Sequence, residues 1–80
     1  MVIGFSAETN DIIENSQKKI NEKNCDWLIA NDVSNKEIGF DSDFNEVSIL
    51  YKNGEIENIS KDKKSAIANK IVKKIVSNLE

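Results

Sequence analysis

Short runs of apolar residues alternate with polar segments along this chain, and their spacing predicts four strands. Residues 2–7 begin with β-branched side chains and predict a buried strand. Residues 26–31 contain four consecutive apolar residues, which indicates a strand buried on both faces, as in a parallel sheet. Residues 47–52 alternate apolar and polar side chains, which is typical of a strand with one apolar face. The weaker, acidic run at residues 55–59 predicts a return strand at an edge of the sheet.

A helix is predicted between the first two strands. Its start is marked by Asn10 or Asp11, because Asn and Asp favour helix N-caps, and Asp11 with Glu14 has the spacing of a capping box. The helix runs to about Lys23, and Asn24 is expected to end it because Asn tolerates the left-handed conformation. Its apolar stripe is narrow, which indicates that it packs on one face of a sheet.

The clearest amphipathic pattern lies in the last part of the chain, where a second helix is predicted. Ser60 or Asp62 is expected to cap it. Isoleucines recur every four residues on one side, other apolar residues widen the stripe, and lysines lie mostly on the opposite side. The apolar positions are Ile67, Ile71 and Ile75, extended by Ala68, Val72, Val76 and Leu79.

The connections complete an α/β fold. Asn53-Gly54 predicts a type I′ hairpin turn, and residues 33–45 form a long acidic loop of the kind that is often functional. The predicted order is β-α-β-loop-β-β-α, with the first two strands parallel and a right-handed crossover. The result is a four-stranded mixed sheet with the third strand antiparallel. The apolar first strand is expected at an exposed edge, and such edges usually pair with something.

The composition excludes several kinds of chemistry. The 80 residues suffice for one domain, and they include no His and one Cys. Without His, there is no Ser-His or Cys-His nucleophilic pair and no imidazole zinc site. A single Cys excludes an internal disulfide. The formal net charge of −3 argues against a general nucleic-acid binder.

The apolar runs also bear on location. None approaches the roughly 18 residues that a membrane helix needs, so no membrane association is expected. The first residues lack the basic segment of a signal peptide. A reducing, cytoplasmic location is therefore the natural expectation.

Acidic and thiol side chains offer weak candidates for a site. Residues 41–45 have the carboxylate spacing that opens a calcium-binding loop, but Glu46 and Lys52 occupy the positions that require Gly and Glu. A turn-rich acidic loop is the favoured interpretation, and no metal site is predicted. The carboxylates of residues 8, 11 and 14 have no partner that identifies an acid–base role. Cys25 is expected to pack in the core because no base accompanies it.

Phe5, Lys19 and Lys23 have two interpretations each. Phe5 comes near the carboxyl end of a predicted parallel strand, where ligands of open α/β sheets bind, so it is placed to stack on a planar ligand. By composition alone, a core Phe is favoured. Lys19 and Lys23 are four residues apart and share a helical face, where they can hold phosphates or be solvated. Taken alone, the spacing favours solvation.

Several motifs together resemble phosphopantothenate–cysteine ligase, also called phosphopantothenoylcysteine synthetase. The segment GFSAET at residues 4–9 looks like the "GF-A-E-T" segment of that enzyme, which in many bacteria is the C-terminal part of a bifunctional flavoprotein of DNA/pantothenate metabolism. The similarity continues in the same order through residues 23–26, 29–33 and 39–45. It spans nearly the whole chain, although the last helix is generic.

The resemblance implies a Rossmann-like partial domain and an activity in coenzyme A biosynthesis. The family activates the carboxylate of 4′-phosphopantothenate with CTP, giving an acyl-cytidylate and pyrophosphate, and cysteine then attacks to release CMP. Magnesium assists the full enzyme, and FMN belongs to a separate decarboxylase half. The expected small-molecule partners are therefore 4′-phosphopantothenate, cysteine and CTP.

The resemblance also assigns three residues to the CTP site. A Phe of the family's GF motif and two lysines of the next helix fall on Phe5, Lys19 and Lys23 with matching spacing. Phe5 is expected to contact the nucleoside, and the lysines the charged or polar groups of the nucleotide. No catalytic residue is carried over to this segment. Lys23 lies roughly 18 Å from the helix start by helical rise, so either Phe5 faces another way or the site is completed by another lobe or subunit.

The length departs from the family, whose ligase domain is about twice this size. Residues 1–80 are therefore expected to be a single C-terminal subdomain that is inactive alone. It is expected to form a homo-oligomer or to pair with the N-terminal half of the ligase domain. The alternatives are a non-catalytic interaction module and a nucleotide-binding module of the same fold.

Overall fold

The computed structural model describes residues 1–33 and 43–79. In chain order, the elements are β1 (Ile3–Glu8), α1 (Ile12–Glu22), β2 (Trp27–Asp32), β3 (Phe44–Tyr51), β4 (Ile56–Lys63) and α2 (Lys64–Leu79). The predicted α/β order is confirmed. Most of the predicted acidic loop, including two residues of the calcium-like spacing, lies outside the described residues.

The four strands form one sheet in the order β1-β2-β3-β4. β1 and β2 are parallel, with Ile3 opposite Trp27 and Phe5 opposite Ile29. β3 is antiparallel to both β2 and β4. This confirms the mixed sheet with an antiparallel third strand, and it places the apolar β1 at an edge as predicted.

The sheet separates two apolar clusters, one under each helix. On the face that α1 covers, the α1 face, Ile20 and Cys25 pack with Leu28, Ala30 and Leu50. On the opposite face, the α2 face, the buried cluster consists of Trp27, Ile29, Val47, Ile49, Ile59 and Ile67. β2 contributes to both clusters, which confirms its predicted burial on both faces. Burying one large aliphatic side chain of this kind contributes about 1.5–3 kcal/mol.

The sequence predicted the C-terminal end of α1 more accurately than its N-terminal end. Asp11 has a left-handed backbone (φ 42°) and makes no side-chain cap hydrogen bond, so the predicted capping box is wrong. The Asn15 side-chain amide instead donates to the Asn10 carbonyl at 3.0 Å. At the other end, Asn24 adopts the predicted left-handed conformation with φ of 51°.

The hairpin between β3 and β4 has a different turn from the predicted one. A type I′ turn requires positive φ at both central residues, whereas Gly54 has φ of +96° and Asn53 is not among the described residues with positive φ. The Gly54 N–H donates to the Tyr51 carbonyl at 2.9 Å, and the Tyr51 N–H donates to the Glu55 carbonyl at 2.9 Å. The connection is therefore a three-residue loop whose last position requires the conformational freedom of glycine.

The boundary between β4 and α2 lies later than predicted. Ser60 and Asp62 belong to β4, so neither is the predicted helix cap. β4 continues to Lys63 because its last residues pair with the start of β3, with Lys63 opposite Phe44. The Lys64 N–H, at the start of α2, donates to the Asp43 carbonyl at 2.9 Å.

Only part of the apolar stripe of α2 faces the sheet. Ile67 is buried, and Ile71 and Ile75 pack against the α2-face cluster, as the four-residue repeat predicts. The flanking apolar residues remain exposed, with 56% of Val72 and 69% of Leu79 accessible. The stripe is thus wider than the surface that this sheet offers it.

Candidate functional site

A partly buried ion pair marks the carboxyl end of β1. Glu8 is 7% exposed and shares the α1 face with Gly4, since alternate residues of a strand point to one face. Lys19 lies about two turns into α1, and helical side chains lean toward the helix N-terminus, which here adjoins the end of β1. The Lys19 ammonium therefore reaches the Glu8 carboxylate, and 36% of the Lys19 side chain stays accessible.

Gly4 is what allows α1-face residues to approach β1 so closely. A Cβ at this position would lie 2.9 Å from Cys25 Sγ, closer than real Cβ contacts, and 3.0 Å from Leu28 Cδ1, tighter than most of them. Cys25 is buried in this cluster, which confirms its predicted packing role. The glycine of the GF motif is therefore explained by packing between β1 and the residues beneath it.

Phe5 points to the α2 face, because it lies opposite Ile29 in the register of the parallel strands. It is 62% exposed, since α2 packs on β3 and β4 rather than on β1. The alternative of a core Phe is therefore wrong. An exposed aromatic ring beside an open strand edge is available for contact with a ligand or with another segment.

Lys23 is the C-cap residue of α1, and its N–H donates to the Lys19 carbonyl at 2.9 Å. Its side chain is exposed, one turn farther from the carboxyl end of β1 than Lys19. The described residues therefore do not bring the three predicted site residues together. Lys19 lies on the α1 face, Phe5 on the α2 face, and Lys23 toward the opposite end of the helix.

The sequence interpretation missed the pairing of Glu8 with Lys19. The sequence identified Glu8 only as one of several carboxylates near the start of a helix. Two signals identify it in retrospect: it alternates with Gly4 onto the α1 face, and it ends a strand whose following helix carries lysines. Neither signal says which lysine reaches it, because that depends on how α1 lies across the sheet.

A second polar network joins β3, β4 and α2. The Tyr51 hydroxyl donates to Glu57 Oε1 at 3.1 Å, and the Lys74 ammonium pairs with the other oxygen of the same carboxylate. The Lys74 contact holds the pKa of Glu57 below its ordinary value. Burial, reinforced by the Glu57 hydrogen bond, raises the pKa of Tyr51. The Lys74–Glu57 contact thus links α2 to β4.

An open cleft of about 910 Å³ lies beside this network, near the amino ends of β1 and β2. Met1, Trp27 and Lys74 are among its lining residues, and none of the three predicted site residues is. Ligands of open α/β sheets bind beyond the carboxyl ends of the strands. The cleft therefore does not correspond to the predicted nucleotide site.

The described residues also bear on metal binding and on membranes. Within residues 1–33 and 43–79, no group of three or more acidic or thiol side chains is arranged to hold a metal ion. In the same part of the chain, neither helix has the length and apolar character needed to cross a bilayer.

An open α/β sheet with charged residues at the carboxyl end of an edge strand belongs to a class of folds that commonly bind ligands there. The family described as "DNA/pantothenate metabolism flavoprotein C-terminal domain" matches residues 1–79. The chain belongs to this family, which confirms the resemblance drawn from the motifs.

Relatives with curated names agree with this assignment. The chain is 44% identical to the "Coenzyme A biosynthesis bifunctional protein CoaBC" of Bacillus subtilis over 54 residues, which cover 68% of this chain and 13% of the relative. It is 36% identical to the protein of the same name from Vibrio parahaemolyticus, with 91% of this chain and 18% of the relative covered. The chain therefore spans less than a fifth of either relative.

A solved structure shows the same fold. The crystal structure of the C-terminal domain of the coenzyme A biosynthesis bifunctional protein CoaBC matches with a TM-score of 0.73 and 34% identity. The match covers 96% of this chain and 34% of that chain. The predicted fold class is thereby confirmed. The chain spans about a third of the solved domain, so the expectation that it is half of such a domain is wrong.

Proposed function

We propose that this chain supplies part of the CTP site of a phosphopantothenate–cysteine ligase in coenzyme A biosynthesis. The observation that carries the proposal is the Lys19 side chain, which is 36% accessible and pairs with Glu8 at the carboxyl end of β1, the edge strand. This is where open α/β sheets bind ligands. Membership of the family and the names of its relatives support the same conclusion.

In this proposal, each predicted residue has a separate task. Lys19 and Lys23 provide positive charge for the polar or charged groups of CTP, and Phe5 provides an aromatic surface for the nucleoside. Fixed positive charge stabilises the negative charge that builds up on pyrophosphate as it leaves CTP and the acyl-cytidylate forms. Mg²⁺ would accompany CTP and neutralise part of its phosphate charge, and no cluster of acidic or thiol residues within 1–33 and 43–79 is arranged to hold it. FMN belongs to the separate decarboxylase half.

The site is completed at the free edge of β1. Phe5 and Lys19 lie on different faces of this strand, so a ligand that touches both must pass around its edge. We place the N-terminal half of the ligase domain, or a second subunit, along that edge. The matched region is only about a third of the solved domain, which supports this arrangement. Most contacts to 4′-phosphopantothenate and cysteine belong to that other part.

A CTP titration of the isotope-labelled chain followed by NMR tests the assignment of the site. We expect shifts at Phe5, Lys19 and Lys23, and weaker binding in Lys19→Gln. Lys73→Gln, which removes an exposed lysine from α2, is the matched control and should bind as the unaltered chain does. Shifts that are unchanged in Lys19→Gln, or that fall elsewhere, contradict the assignment.

A second experiment tests whether the chain is inactive without the N-terminal half of the ligase domain. We expect no CTP-dependent pyrophosphate release by the chain alone, with 4′-phosphopantothenate and Mg²⁺ present. Release should appear when the N-terminal half of the ligase domain is added. Pyrophosphate release by the chain alone would refute this expectation.

A non-catalytic interaction module is the second candidate function. The open β1 edge and the exposed apolar flank of α2 favour it, because both are surfaces that another chain can cover. Sizing the chain in solution with and without the N-terminal half, and with and without CTP, separates the two functions. An assembly that forms equally well without CTP and releases no pyrophosphate supports the module.

A further inference from the structure

Glu8 is unusual because a carboxylate is rarely so buried unless it is paired with another group. It is 7% exposed, whereas its partner Lys19 keeps 36% of its side chain accessible. The pair therefore has an inner, anionic member and an outer, cationic one. Only the outer member can reach a ligand.

We propose that Glu8 is a positioning residue that holds the Lys19 ammonium in place for an anionic ligand. This rests on the proposed function of Lys19. An ammonium group has three N–H donors, and the Glu8 contact leaves others for a phosphate. Binding a ligand through a mobile surface lysine costs side-chain conformational entropy. The Glu8 contact already restricts the Lys19 side chain, so less of this entropy is lost when the ligand binds.

The burial of Glu8 decides whether this carboxylate positions Lys19 for the ligand or competes with the ligand for Lys19. If Lys19 left Glu8 to meet a nucleotide, a buried carboxylate would lose its charge partner, which is strongly unfavourable. A contact between a half-exposed lysine and a phosphate is too weak to compensate for that loss. Lys19 therefore binds the ligand while it stays paired with Glu8.

The two mechanisms predict opposite signs for Glu8→Gln. Simple electrostatics, or release of a competitor, predicts tighter CTP binding, because a negative charge near an anionic ligand disappears. Positioning predicts binding about tenfold weaker, the scale of one lost charge-assisted hydrogen bond. Glu14→Gln is the matched control, since it removes the same charge from an exposed site in the first turn of α1. Its effect should be at most about twofold, because exposed charges are screened.

The experiment is a CTP titration of the full chain by NMR, with the spectrum of each variant showing whether it is folded. Weaker binding by folded Glu8→Gln, with Glu14→Gln near the unaltered chain, supports positioning. Equal or tighter binding by Glu8→Gln overturns it while leaving the CTP assignment of Lys19 intact. If CTP leaves the Lys19 signals of the unaltered chain unmoved, the proposed function and the role of Glu8 are both overturned.

A measurement on the unaltered chain covers the case in which Glu8→Gln does not fold. The chemical shift of the Glu8 carboxyl carbon reports whether the pair persists. Positioning predicts that this shift stays constant as CTP saturates the chain, while the Lys19 ammonium signal moves. Movement of the Glu8 shift toward that of a free carboxylate means that the pair breaks, and that overturns the proposal.

Discussion

Phe5 and Lys19 lie on opposite faces of the sheet, with the edge strand β1 between them. The separation follows from strand alternation, since Phe5 is opposite Ile29 on the α2 face and Lys19 reaches Glu8 on the α1 face. In an inner strand, two such residues could not contact one ligand. At an open edge they can, because the ligand or a neighbouring strand has access to both sides.

Lys19→Ala should destabilise the chain as well as weaken any nucleotide contact. It leaves the buried Glu8 carboxylate without its cation, so we expect the free energy of unfolding to fall by about 1–3 kcal/mol. Lys23→Ala, four residues along the same helix at an exposed position, should change it by less than about 0.5 kcal/mol. Urea denaturation measures both. Equal effects of the two substitutions would show that the Glu8 pair contributes nothing to stability.

Gly4→Ala should destabilise the packing between β1 and the residues beneath it. The added methyl lies 2.9 Å from Cys25 Sγ, so we expect a loss of about 1–3 kcal/mol from overpacking. Cys25→Ala removes the nearest atom, and the double variant should therefore lose less than the sum of the single changes. Additive losses in urea denaturation would place the strain elsewhere.

The effects of Ile67→Ala and Val72→Ala on stability should distinguish the packed side of α2 from its exposed side. Ile67 is 2% exposed, and its truncation should cost about 2–4 kcal/mol. Val72→Ala removes a branched side chain that is 56% exposed and should change stability by less than about 0.5 kcal/mol. If thermal unfolding shows a large loss for Val72→Ala instead, that flank of α2 is covered in solution.

Stability should decrease at acid pH partly through Glu57. Its pKa is lowered, chiefly by the Lys74 contact, from an ordinary value of 4.5. The charged form is thus favoured in the folded chain, so the contribution is present above about pH 5 and is lost as the pH falls through the lowered pKa. Because the Glu57 side chain is 43% exposed, the contribution is under about 1 kcal/mol.

The measurement compares the pH dependence of unfolding in the unaltered chain and in Glu57→Gln. The variant should have a shallower slope below pH 5. Asp62 also has a lowered pKa, with the Lys63 N–H as the main cause, so some slope should remain. Glu22→Gln, which removes one exposed carboxylate from the end of α1, controls for the loss of a single negative charge. Identical slopes for Glu57→Gln and the unaltered chain would exclude the Glu57 contribution.

Local pattern was enough to predict the elements where burial dominates. The unbroken apolar run of β2 and the four-residue repeat of Ile67, Ile71 and Ile75 were both confirmed. The end of β4 was not predictable in this way. Residues 60–63 are polar and resemble a helix cap, but pairing with the start of β3, about 18 residues earlier in the chain, extends the strand.

The site was predictable only as a set of residue types. The resemblance selects Phe5, Lys19 and Lys23, and strand alternation indicates where Phe5 points. The pairing of Glu8 with Lys19 depends on the angle of α1 across the sheet. The exposure of Phe5 depends on which strands α2 covers. Both are properties of the assembled fold, so neither can be obtained from spacing along the chain.

The order of strands in the sheet has a consequence for how the chain folds. The spatial order is the same as the chain order, so each strand needs only its predecessor as a template. The parallel β1–β2 pair is bridged by α1, and the β3–β4 pair closes through a three-residue loop. Each pairing joins strands that are consecutive in the chain, so no strand needs a partner beyond its immediate neighbours. The polypeptide can therefore assemble this sheet strand by strand, in the order in which a ribosome delivers it.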